Sequence, residues 1–397
     1  MNLCETIMPQ ITPEDIQRRL RAVLPPGEAR IALHEPHFLG NEKRYVTECI
    51  DTGWVSYAGA FVQKFEAALA ETCGAPCAVC VSSGTVALQI ALQAAGVAAG
   101  DEVLVPSLTF VATPNAVSHI GAVPHFVDSD EETLGVSPTA LAAHLDRIGE
   151  ARDGRLYNRQ TGRRIAALLP VHVFGHPADM DALNALMNRH GIAVVEDATE
   201  SVGSRYKDKP CGGLAPLATL SFNGNKIVTT GGGGAIVTQD AEIARWIRHM
   251  TTTAKQPHPW RFDHDAIAWN FRMPNLNAAL GLAQLERLPD MLDAKRRLHQ
   301  RYAEAFADLA GARLFTDAAF AHSNYWLCAL ILERGQEAAL EPILEATNAA
   351  GLSTRPAWTP MHMLPIYAGH PRADVSTAES LSRRILNLPS SPFLAPA

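Results

Sequence analysis

One lysine is placed where its side chain could do covalent chemistry. Lys226 follows a short apolar run, residues 218–222, and precedes four consecutive glycines, Gly231 to Gly234. Four glycines in a row favour a turn with positive φ or a close approach of the backbone to another group. A lysine beside such a turn can bind phosphate, act as a Schiff-base nucleophile or carry a surface charge. Because most lysines are solvated, the surface explanation is as good as the two chemical ones together.

Three further features follow predicted strands, and ligands of parallel sheets bind at the carboxyl ends of strands. Ser82-Ser83-Gly84-Thr85 opens a helix, so its N–H groups can cradle a phosphate, or its serine is an ordinary N-cap. Asp197 ends an apolar strand, where it can bind a metal, a ribose or a protonated ring nitrogen, or cap a turn. Phe110 can stack on a planar ligand or pack in the core. The chain lacks GxGxxG, which argues against a nucleotide-sugar oxidoreductase.

Taken together, the four features describe one cofactor. A lysine that forms a Schiff base, an acid that keeps a ring nitrogen protonated, an aromatic platform and a phosphate cradle match pyridoxal 5′-phosphate (PLP). Each feature is ambiguous alone, but their order and spacing are hard to produce by chance. The sequence therefore predicts a PLP site.

Composition limits the other classes. The chain has 397 residues, 47% hydrophobic and 19% charged, so two domains of an ordinary globular protein are expected. A net charge of −7 without a basic run argues against nucleic acid as a partner. Cys73, Cys77 and Cys80 lack a second CxxC or a histidine pair, so we predict no metal site and reduced thiols of a cytoplasmic protein. No signal peptide is visible, and the uncharged stretch 72–100 is broken by polar residues and Pro76, so no membrane span is predicted.

The pattern along the chain is typical of an α/β protein. Short apolar strands alternate with amphipathic helices, which predicts a mostly parallel sheet with helices on both faces. We predict an N-terminal helical arm at 1–30, a large α/β domain at 31–260 and a small C-terminal α+β domain at 261–397. The polar insertion at 152–164 is expected to be a surface loop or hairpin.

At this point the sequence resembles a known family from about residue 30 to its C-terminus, the DegT/StrS family of PLP-dependent nucleotide-sugar aminotransferases. That family has the type I (aspartate aminotransferase-like) fold, which the resemblance implies here. The matching motifs are Ser83-Gly84-Thr85-Val86-Ala87-Leu88, Gly100-Asp101-Glu102-Val103, Thr109-Phe110-Val111-Ala112-Thr113, Phe126-Val127-Asp128, His172-Val173-Phe174-Gly175, Val195-Glu196-Asp197-Ala198, Ser221-Phe222-Asn223-Gly224-Asn225-Lys226 and Asn270-Phe271-Arg272-Met273.

The resemblance implies two catalytic residues. Lys226 would form the Schiff base with the cofactor and move the proton, and Asp197 would pair with the pyridine nitrogen. Phe110 would stack on the ring. Glu200 stands where many members have Gln or His, so its contact with the face or hydroxyl of the cofactor is left open.

The resemblance also implies a phosphate site shared between subunits. The N–H groups of Gly84 and Thr85 and the hydroxyl of Ser221 would hold the phosphate. Asn270 matches an asparagine that reaches the phosphate of the neighbouring subunit, which implies a homodimer.

Several segments look like the legionaminic-acid-type (LegC-like) branch, namely residues 31–36, 225–234, 251–255, 355–358 and 387–391. That branch implies transfer of an amino group from L-glutamate to C4 of a nucleotide-linked 4-keto-6-deoxy-N-acetylhexosamine, through the pyridoxamine phosphate form, for legionaminic acid or a related surface glycan. Two alternatives share the fold: a PLP-dependent sugar dehydratase, against which Lys226 argues because the members compared carry histidine there, and a non-catalytic PLP-binding sensor.

An anionic nucleotide-linked substrate also predicts basic and polar side chains at the mouth of the site. Each candidate is more often an ordinary surface or core residue. The basic candidates are Lys255, Arg272 and Arg355, and the candidates for polar contacts are His34, His172, His258 and His362. Trp358 and Tyr57 are candidates for the border of the sugar.

Overall fold

The structure is a computed structural model that describes residues 11–395. The predicted arm therefore lies partly outside the described residues, at 1–10. The α-helices are α1 (Pro13–Val23), α2 (Glu42–Asp51), α3 (Ala60–Thr72), α4 (Gly84–Ala94), α5 (Ala112–His119), α6 (Pro138–Ile148), α7 (Met180–His190), α8 (Ala241–Met250), α9 (Asn275–Glu286), α10 (Leu288–Phe306), α11 (Leu340–Ala349) and α12 (Ser376–Ser382).

The strands fall into a large sheet, a small sheet and two minor ones. They are β1 (Cys77–Val81), β2 (Glu102–Pro106), β3 (Val123–Val127), β4 (Gly149–Arg152), β5 (Arg155–Asn158), β6 (Ile165–Leu168), β7 (Ala193–Asp197), β8 (Arg205–Tyr206), β9 (Lys209–Pro210), β10 (Leu217–Ser221), β11 (Gly234–Thr238), β12 (Ala312–Leu314), β13 (Ala321–His322), β14 (Cys328–Leu332), β15 (Arg355–Pro356) and β16 (Ile385–Leu388).

The large sheet has seven strands in the order β1-β11-β10-β7-β6-β2-β3. The pairs β10–β7, β7–β6, β6–β2 and β2–β3 are parallel, whereas β11 runs antiparallel to both β1 and β10. This confirms the mostly parallel sheet. Since β1 lies two antiparallel steps from β10, its carboxyl end reaches the same edge as those of the parallel strands.

Alternation along the strands places helices on both faces of this sheet. In β2, Val103 and Val105 pack with Leu88 of α4 and Val117 of α5. Leu104, between them, packs on the opposite face in a core that α6 and α7 also enter. Successive side chains of a strand point to opposite faces, so a continuous apolar run serves two helix layers.

Local sequence signals set the ends of several helices. Ser83 Oγ accepts from the N–H of Val86 at the start of α4, and Ser137 caps α6 with Pro138 in its first turn. α7 ends at Gly191, whose φ of 63° is the left-handed conformation that glycine adopts without strain. The sequence pattern predicts helices at 138–148 and 180–190, and α6 and α7 confirm both.

The C-terminal part forms a second core. The antiparallel sheet β12-β14-β16-β15 packs with α10 and α11, and α1 joins this core through Ile16 and Leu20.

The insertion 152–164 includes the turn and the second strand of the antiparallel hairpin β4–β5, as expected. The domain boundaries at 30/31 and 260/261 stay predictions. Within residues 11–395, no helix combines the length and apolar character needed to cross a membrane.

Candidate active site

Four predicted site segments converge at one edge of the large sheet. They follow the carboxyl ends of β1, β2, β7 and β10, and together they line a cavity of about 420 Å³. The sequence singled them out separately; the shared strand direction brings them together. Of the predicted site residues, those that line the cavity are Gly84, Thr85, Phe110, Asp197, Glu200, Ser221 and Lys226.

A tight backbone cradle lies between the N-terminus of α4 and the end of β10. A Cβ atom at Gly84 would lie 2.8 Å from the Cβ of Ser221 and 3.0 Å from its Oγ, so only glycine fits. A Cβ at Gly234 would lie 2.6 Å from the backbone of Ser83. The glycine run thus makes the predicted close approach. The first N–H groups of a helix lack intrahelical partners, so those of Gly84 and Thr85 are available to an anion beside the Ser221 hydroxyl.

Asp197 is held in one orientation by hydrogen bonds to both of its carboxylate oxygens. Thr113 Oγ1 donates to Oδ2 at 3.0 Å, and the Thr199 N–H donates to Oδ1 at 3.2 Å. Thr113 in turn contacts Thr109 Oγ1 at 3.1 Å. The carboxylate is buried yet lines the cavity. A buried acid with fixed geometry can face a cationic ring nitrogen and keep it protonated.

Lys226 extends its amine into the cavity between an acid and an indole. Its Nζ lies 3.3 Å from Glu200 Oε1 and 3.6 Å from the centre of the Trp326 ring. The other Glu200 oxygen accepts the Phe174 N–H at 2.8 Å. Burial raises the pKa of the Glu200 carboxyl, and the charge of Lys226 opposes that rise only in part.

Two aromatic rings form one wall of the cavity. Phe110 is 52% exposed although it follows a fully buried strand, and its ring centre lies 6.5 Å from that of Trp358. Trp358 packs against Phe174 at 4.8 Å. A large exposed aromatic side chain at the mouth of a cavity suits stacking on a planar ligand.

A second lysine lies behind the cavity. Lys295 is fully buried, and its Nζ donates to the carbonyl of Trp326 at 3.2 Å and to that of Ser390. Burial lowers the pKa of Lys295 to about 7. Burial and the charges of Lys295 and Lys226 also hold the pKa of His34 well below its usual range.

These residues fit PLP on structural grounds. The cradle that excludes a Cβ at Gly84 matches a phosphate, the exposed Phe110 face matches a ring, and the fixed Asp197 carboxylate matches a pyridinium nitrogen. Lys226 supplies the amine for a Schiff base.

Comparisons with known proteins agree with this site. The profile of the DegT/DnrJ/EryC1/StrS aminotransferase family matches residues 38–397. The chain belongs to this family. The GDP-perosamine synthase of Caulobacter vibrioides is 37% identical over 369 residues, which cover 93% of this chain and 95% of that protein. EpsN of Bacillus subtilis, a pyridoxal phosphate-dependent aminotransferase by name, is 35% identical over 91% of each chain.

A solved structure supports the same conclusion. DesI, determined in the presence of its TDP-sugar product, is 29% identical with a TM-score of 0.80, and the match covers 91% of this chain and 88% of that one. The present chain is therefore an aminotransferase that has the type I fold and uses PLP. The predicted fold class, cofactor and enzyme class are therefore confirmed, whereas the LegC-like branch stays a prediction.

Asn270 is the one predicted cofactor ligand that does not line the cavity of its own chain. It is exposed and pairs with Thr252 in an isolated bridge. Its neighbour Phe271 accepts the N–H of Ser82 at 2.8 Å, which fixes the segment close to the start of α4. This position agrees with a role in a neighbouring subunit, and that role stays a prediction.

The structure divides the other candidates into three groups. Trp358 lines the cavity, and His34 lies behind it. Lys255, Arg272 and Tyr57 line a different cavity. The remaining ones have other partners: Arg355 bonds Asn348, His172 bonds Glu196, His258 contacts Trp260, and His362 bonds Ser107 and Glu379.

One buried trio has the composition of a metal site. Ligand atoms of His172, Glu196 and Cys211 lie within 4.8 Å of one another. The Glu196 carboxylate already accepts from His172 at 3.0 Å and from the N–H groups of Gly212 and Leu214 at 2.6 and 2.8 Å. Its hydrogen bonds account for its burial, and they anchor the strand end that carries Asp197.

Sequence reasoning missed Trp326 and the role of Thr113. Thr113 was part of a recognised motif, but only the fold shows that its hydroxyl reaches Asp197. Trp326 is 100 residues from Lys226 along the chain, in a loop where Tyr325 has a φ of 45°. No period or spacing links the two residues, so the sequence offered no signal for this contact.

Proposed function

We propose that this enzyme transfers an amino group from L-glutamate to C4 of a nucleotide-linked 4-keto-6-deoxy-N-acetylhexosamine, for legionaminic acid or a related surface glycan. One observation carries the proposal: the Lys226 amine lies in a cavity that also presents the Asp197 carboxylate and a phosphate cradle. The family and the names of its members support the nucleotide-sugar class. The donor and the sugar rest on the resemblance.

The chemistry divides between the cofactor and the chain. Bound PLP supplies an electron sink and carries the amino group between the two substrates. The Nζ of Lys226 takes the proton from Cα of L-glutamate in the first half-reaction and delivers a proton to C4 of the sugar in the second. Glu200, at 3.3 Å, orients this amine while it is free.

The other residues position the reactants. Asp197, fixed by Thr113, would pair with the ring nitrogen and stabilise its positive charge. Gly84, Thr85 and Ser221 would hold the phosphate, and Phe110 would cover one face of the ring and exclude water from it. The rates of both half-reactions then depend on groups that are in place before the substrate binds.

We also propose that the active site is completed in a homodimer. Asn270 lies on a segment with large exposed apolar side chains: Trp260 is 76% exposed, Phe262 75% and Ile267 96%. Exposed apolar residues at this density mark an interaction surface. A second copy of the chain would cover them and bring Asn270 to the partner's phosphate cradle.

The first experiment is an absorbance titration of the PLP-loaded protein with L-glutamate. Conversion of the cofactor band to that of pyridoxamine phosphate, with release of 2-oxoglutarate, is the expected result. The aminated protein is then given nucleotide-linked 4-keto-6-deoxy sugars, with and without the N-acetyl group and on UDP, GDP or dTDP. Preference for an N-acetylated sugar supports the proposal. A cofactor band that does not respond to L-glutamate overturns the proposed donor.

A second candidate is the synthesis of GDP-perosamine. It is favoured by the GDP-perosamine synthase of Caulobacter vibrioides, whose match covers nearly the whole of both chains. The same screen separates the two candidates, since preference for a GDP-linked sugar without the N-acetyl group favours this one.

A further inference from the structure

Asn324 is a buried amide that joins separate segments of the chain behind the Lys226 cavity. It lies in the loop between β13 and β14, and the residue is fully buried. The three-stranded sheet β13-β8-β9 brings this loop to the segment that follows β7, since Ala321 pairs with Tyr206. Asn324 is not among the predicted site residues and does not line the cavity itself. Any effect that it has on the site must therefore pass through its neighbours.

Both polar atoms of the Asn324 side chain are hydrogen bonded. Its Nδ2 donates to the carbonyls of Glu200 and Val202 at 2.9 and 3.0 Å, and its Oδ1 accepts the N–H of Trp326 at 2.7 Å. The main-chain N–H of Asn324 donates to Ser204 Oγ at 2.9 Å. A shift of any of these partners would leave a buried polar group unpaired, which costs free energy. The amide therefore holds its neighbours in one arrangement.

The backbone around this amide adopts conformations that most side chains disfavour. Tyr325, between Asn324 and Trp326, has a φ of 45°, and Phe174 has a φ of 56°. Gly175 has a φ of 100°, and a Cβ atom there would collide with Oδ1 of Asn324 and lie 3.1 Å from the nitrogen of Trp326. Such conformations persist only where the surrounding structure imposes them. The hydrogen bond from Trp326 to Asn324 spans Tyr325 and holds it in place.

Two of the residues that Asn324 holds are the ones that contact the Lys226 amine. Oε1 of Glu200 lies 3.3 Å from Nζ of Lys226, and the ring centre of Trp326 lies 3.6 Å from the same atom. Asn324 bonds to the main chain of both Glu200 and Trp326, so it sets the distance between the carboxylate and the indole. One buried amide thus fixes both walls of the gap in which the amine lies.

We propose that Asn324 is a positioning residue for the transamination, because it places Glu200 and Trp326 on either side of the Lys226 amine. It acts through these two residues and does not touch the reacting atoms. The inference rests on the proposed role of Lys226 as nucleophile and base. A displacement of a reacting group by about 1 Å can lower a rate strongly. Loss of the amide should therefore slow the chemical step more than it weakens the binding of L-glutamate.

The test compares Asn324→Ala with the control Asn158→Ala. Asn158 is 1% exposed, and its amide is also used at both ends: Nδ2 donates to Glu102 Oε2 at 2.9 Å, and Oδ1 accepts the N–H of Gln160 at 3.0 Å. Asn158 ends β5 and Glu102 begins β2, so the control lies at the edge of the large sheet opposite to Lys226. Both substitutions remove a bonded, buried amide.

The first measurement is stopped-flow absorbance of the PLP-loaded protein mixed with L-glutamate. We expect Asn324→Ala to lower the maximal rate of this half-reaction at least tenfold and to change the half-saturating concentration of L-glutamate less than threefold. Asn158→Ala should change neither quantity more than twofold. A general loss of structure would not separate the rate from the binding in this way.

The second measurement uses the cofactor-free protein and does not require the proposed reaction. Acetic anhydride acetylates lysine amines, and mass spectrometry of the peptide that contains Lys226 gives the rate at this residue. The amine must leave Glu200 and Trp326 before it can react. We expect acetylation of Lys226 to be at least threefold faster in Asn324→Ala than in the wild type and in Asn158→Ala.

Acetylation that is no faster in Asn324→Ala than in Asn158→Ala would overturn the proposal, whatever the rate of the half-reaction. So would a maximal rate that falls equally in both variants. If the wild type itself does not respond to L-glutamate, the proposed donor fails, and faster acetylation in Asn324→Ala still supports the positioning role. If Asn324→Ala does not fold, Asn324→Asp carries the same expectations. It keeps an oxygen for the N–H of Trp326 but places its other oxygen against the carbonyl of Glu200.

Discussion

The amine of Lys226 lies against the face of Trp326, with Nζ 3.6 Å from the ring centre. The same indole donates from Nε1 to the carbonyl of Asn225 at 2.7 Å, one residue before the lysine. Trp326 therefore fixes both the backbone and the side-chain end of the reactive residue. An ammonium over an indole face gains about 0.5–2 kcal/mol, so this contact sets the resting position of the amine.

Replacement of Trp326 should lower the rate of the chemical step more than it weakens the binding of L-glutamate. We expect Trp326→Phe to slow the first half-reaction with L-glutamate about tenfold, because the carbonyl of Asn225 loses its donor, a net loss of about 1 kcal/mol or more. Stopped-flow absorbance measures this rate, and the dependence on L-glutamate concentration should change little. Trp246→Phe, at a 38% exposed position on α8, is the control. An unchanged rate in Trp326→Phe would contradict the positioning role.

Lys226→Ala should leave a folded protein without turnover. The side chain projects into a cavity and not into a packed core, so its removal costs little packing, whereas the loss of nucleophile and base lowers the rate by more than about 10⁴-fold. Steady-state production of 2-oxoglutarate measures turnover, and circular dichroism shows whether the variant is folded. Lys209→Ala, an exposed lysine, should keep full activity. Detectable steady-state transamination by Lys226→Ala would count against the assignment.

Asp197→Asn tests charge separately from shape. The oxygen of asparagine can accept from the Thr199 N–H and its NH2 group can donate to the Thr113 hydroxyl, so the shape is kept, but the side chain carries no negative charge for a ring nitrogen. We expect kcat to fall by about 10²–10³, as for the loss of other preorganised electrostatic groups. Thr113→Val should give a smaller loss and Thr113→Ser nearly none. Equal activity of Asp197→Asn and the wild type would exclude the proposed role.

The sequence predicted the site better than its surroundings. Lys226, Asp197 and Ser221 each follow an apolar strand, and strand direction alone brings such residues to one edge. α2 was missed because its contact with the core is a short stripe of Tyr45, Val46 and Cys49, of which only Cys49 is fully buried. α8 was missed although Asp240 caps it, a signal that was available.

The contacts that tune the site were beyond sequence reasoning for a physical reason. Trp326 and Thr113 reach the reactive groups across the fold, through loops and helix starts that carry no periodic pattern. The loop before β14 fixes the distance from Trp326 to Lys226, and the packing of α5 on the large sheet fixes the distance from Thr113 to Asp197.

Glu200 predicts a pH dependence of stability in the cofactor-free protein. Burial raises its folded pKa above the ordinary value of 4.5, so its contribution to stability is complete below about pH 4.5 and is lost as the pH rises through the folded pKa. The side chain of Glu200→Gln stays neutral at every pH. The free energy of unfolding of this variant should therefore increase relative to that of the wild type as the pH rises from 5.0 to 8.5. Urea unfolding at several pH values measures the difference.

Glu102 provides a control with the opposite sign. Burial raises its pKa, but hydrogen bonds from His125, Thr161 and Asn158 outweigh burial, and the net pKa is lowered. Glu102 is thus ionised in both the folded and the unfolded state above pH 5.0. The difference in the free energy of unfolding between Glu102→Gln and the wild type should therefore stay constant from pH 5.0 to 8.5. A constant difference for Glu200→Gln as well would contradict the prediction.

The shared active site can be tested with two inactive variants. Asn270 is exposed in its own chain, whereas Lys226 is enclosed in the cavity. If Asn270 completes the partner's site, a mixed dimer of Asn270→Ala and Lys226→Ala has one site with both lesions and one with none. Random exchange of equal amounts makes half of the dimers mixed, so about a quarter of the wild-type activity should return. Refolding or co-expression of differently tagged chains prepares the mixture. If each chain supplies its own Asn270, every site keeps one lesion and the mixture is no more active than the mean of the two variants.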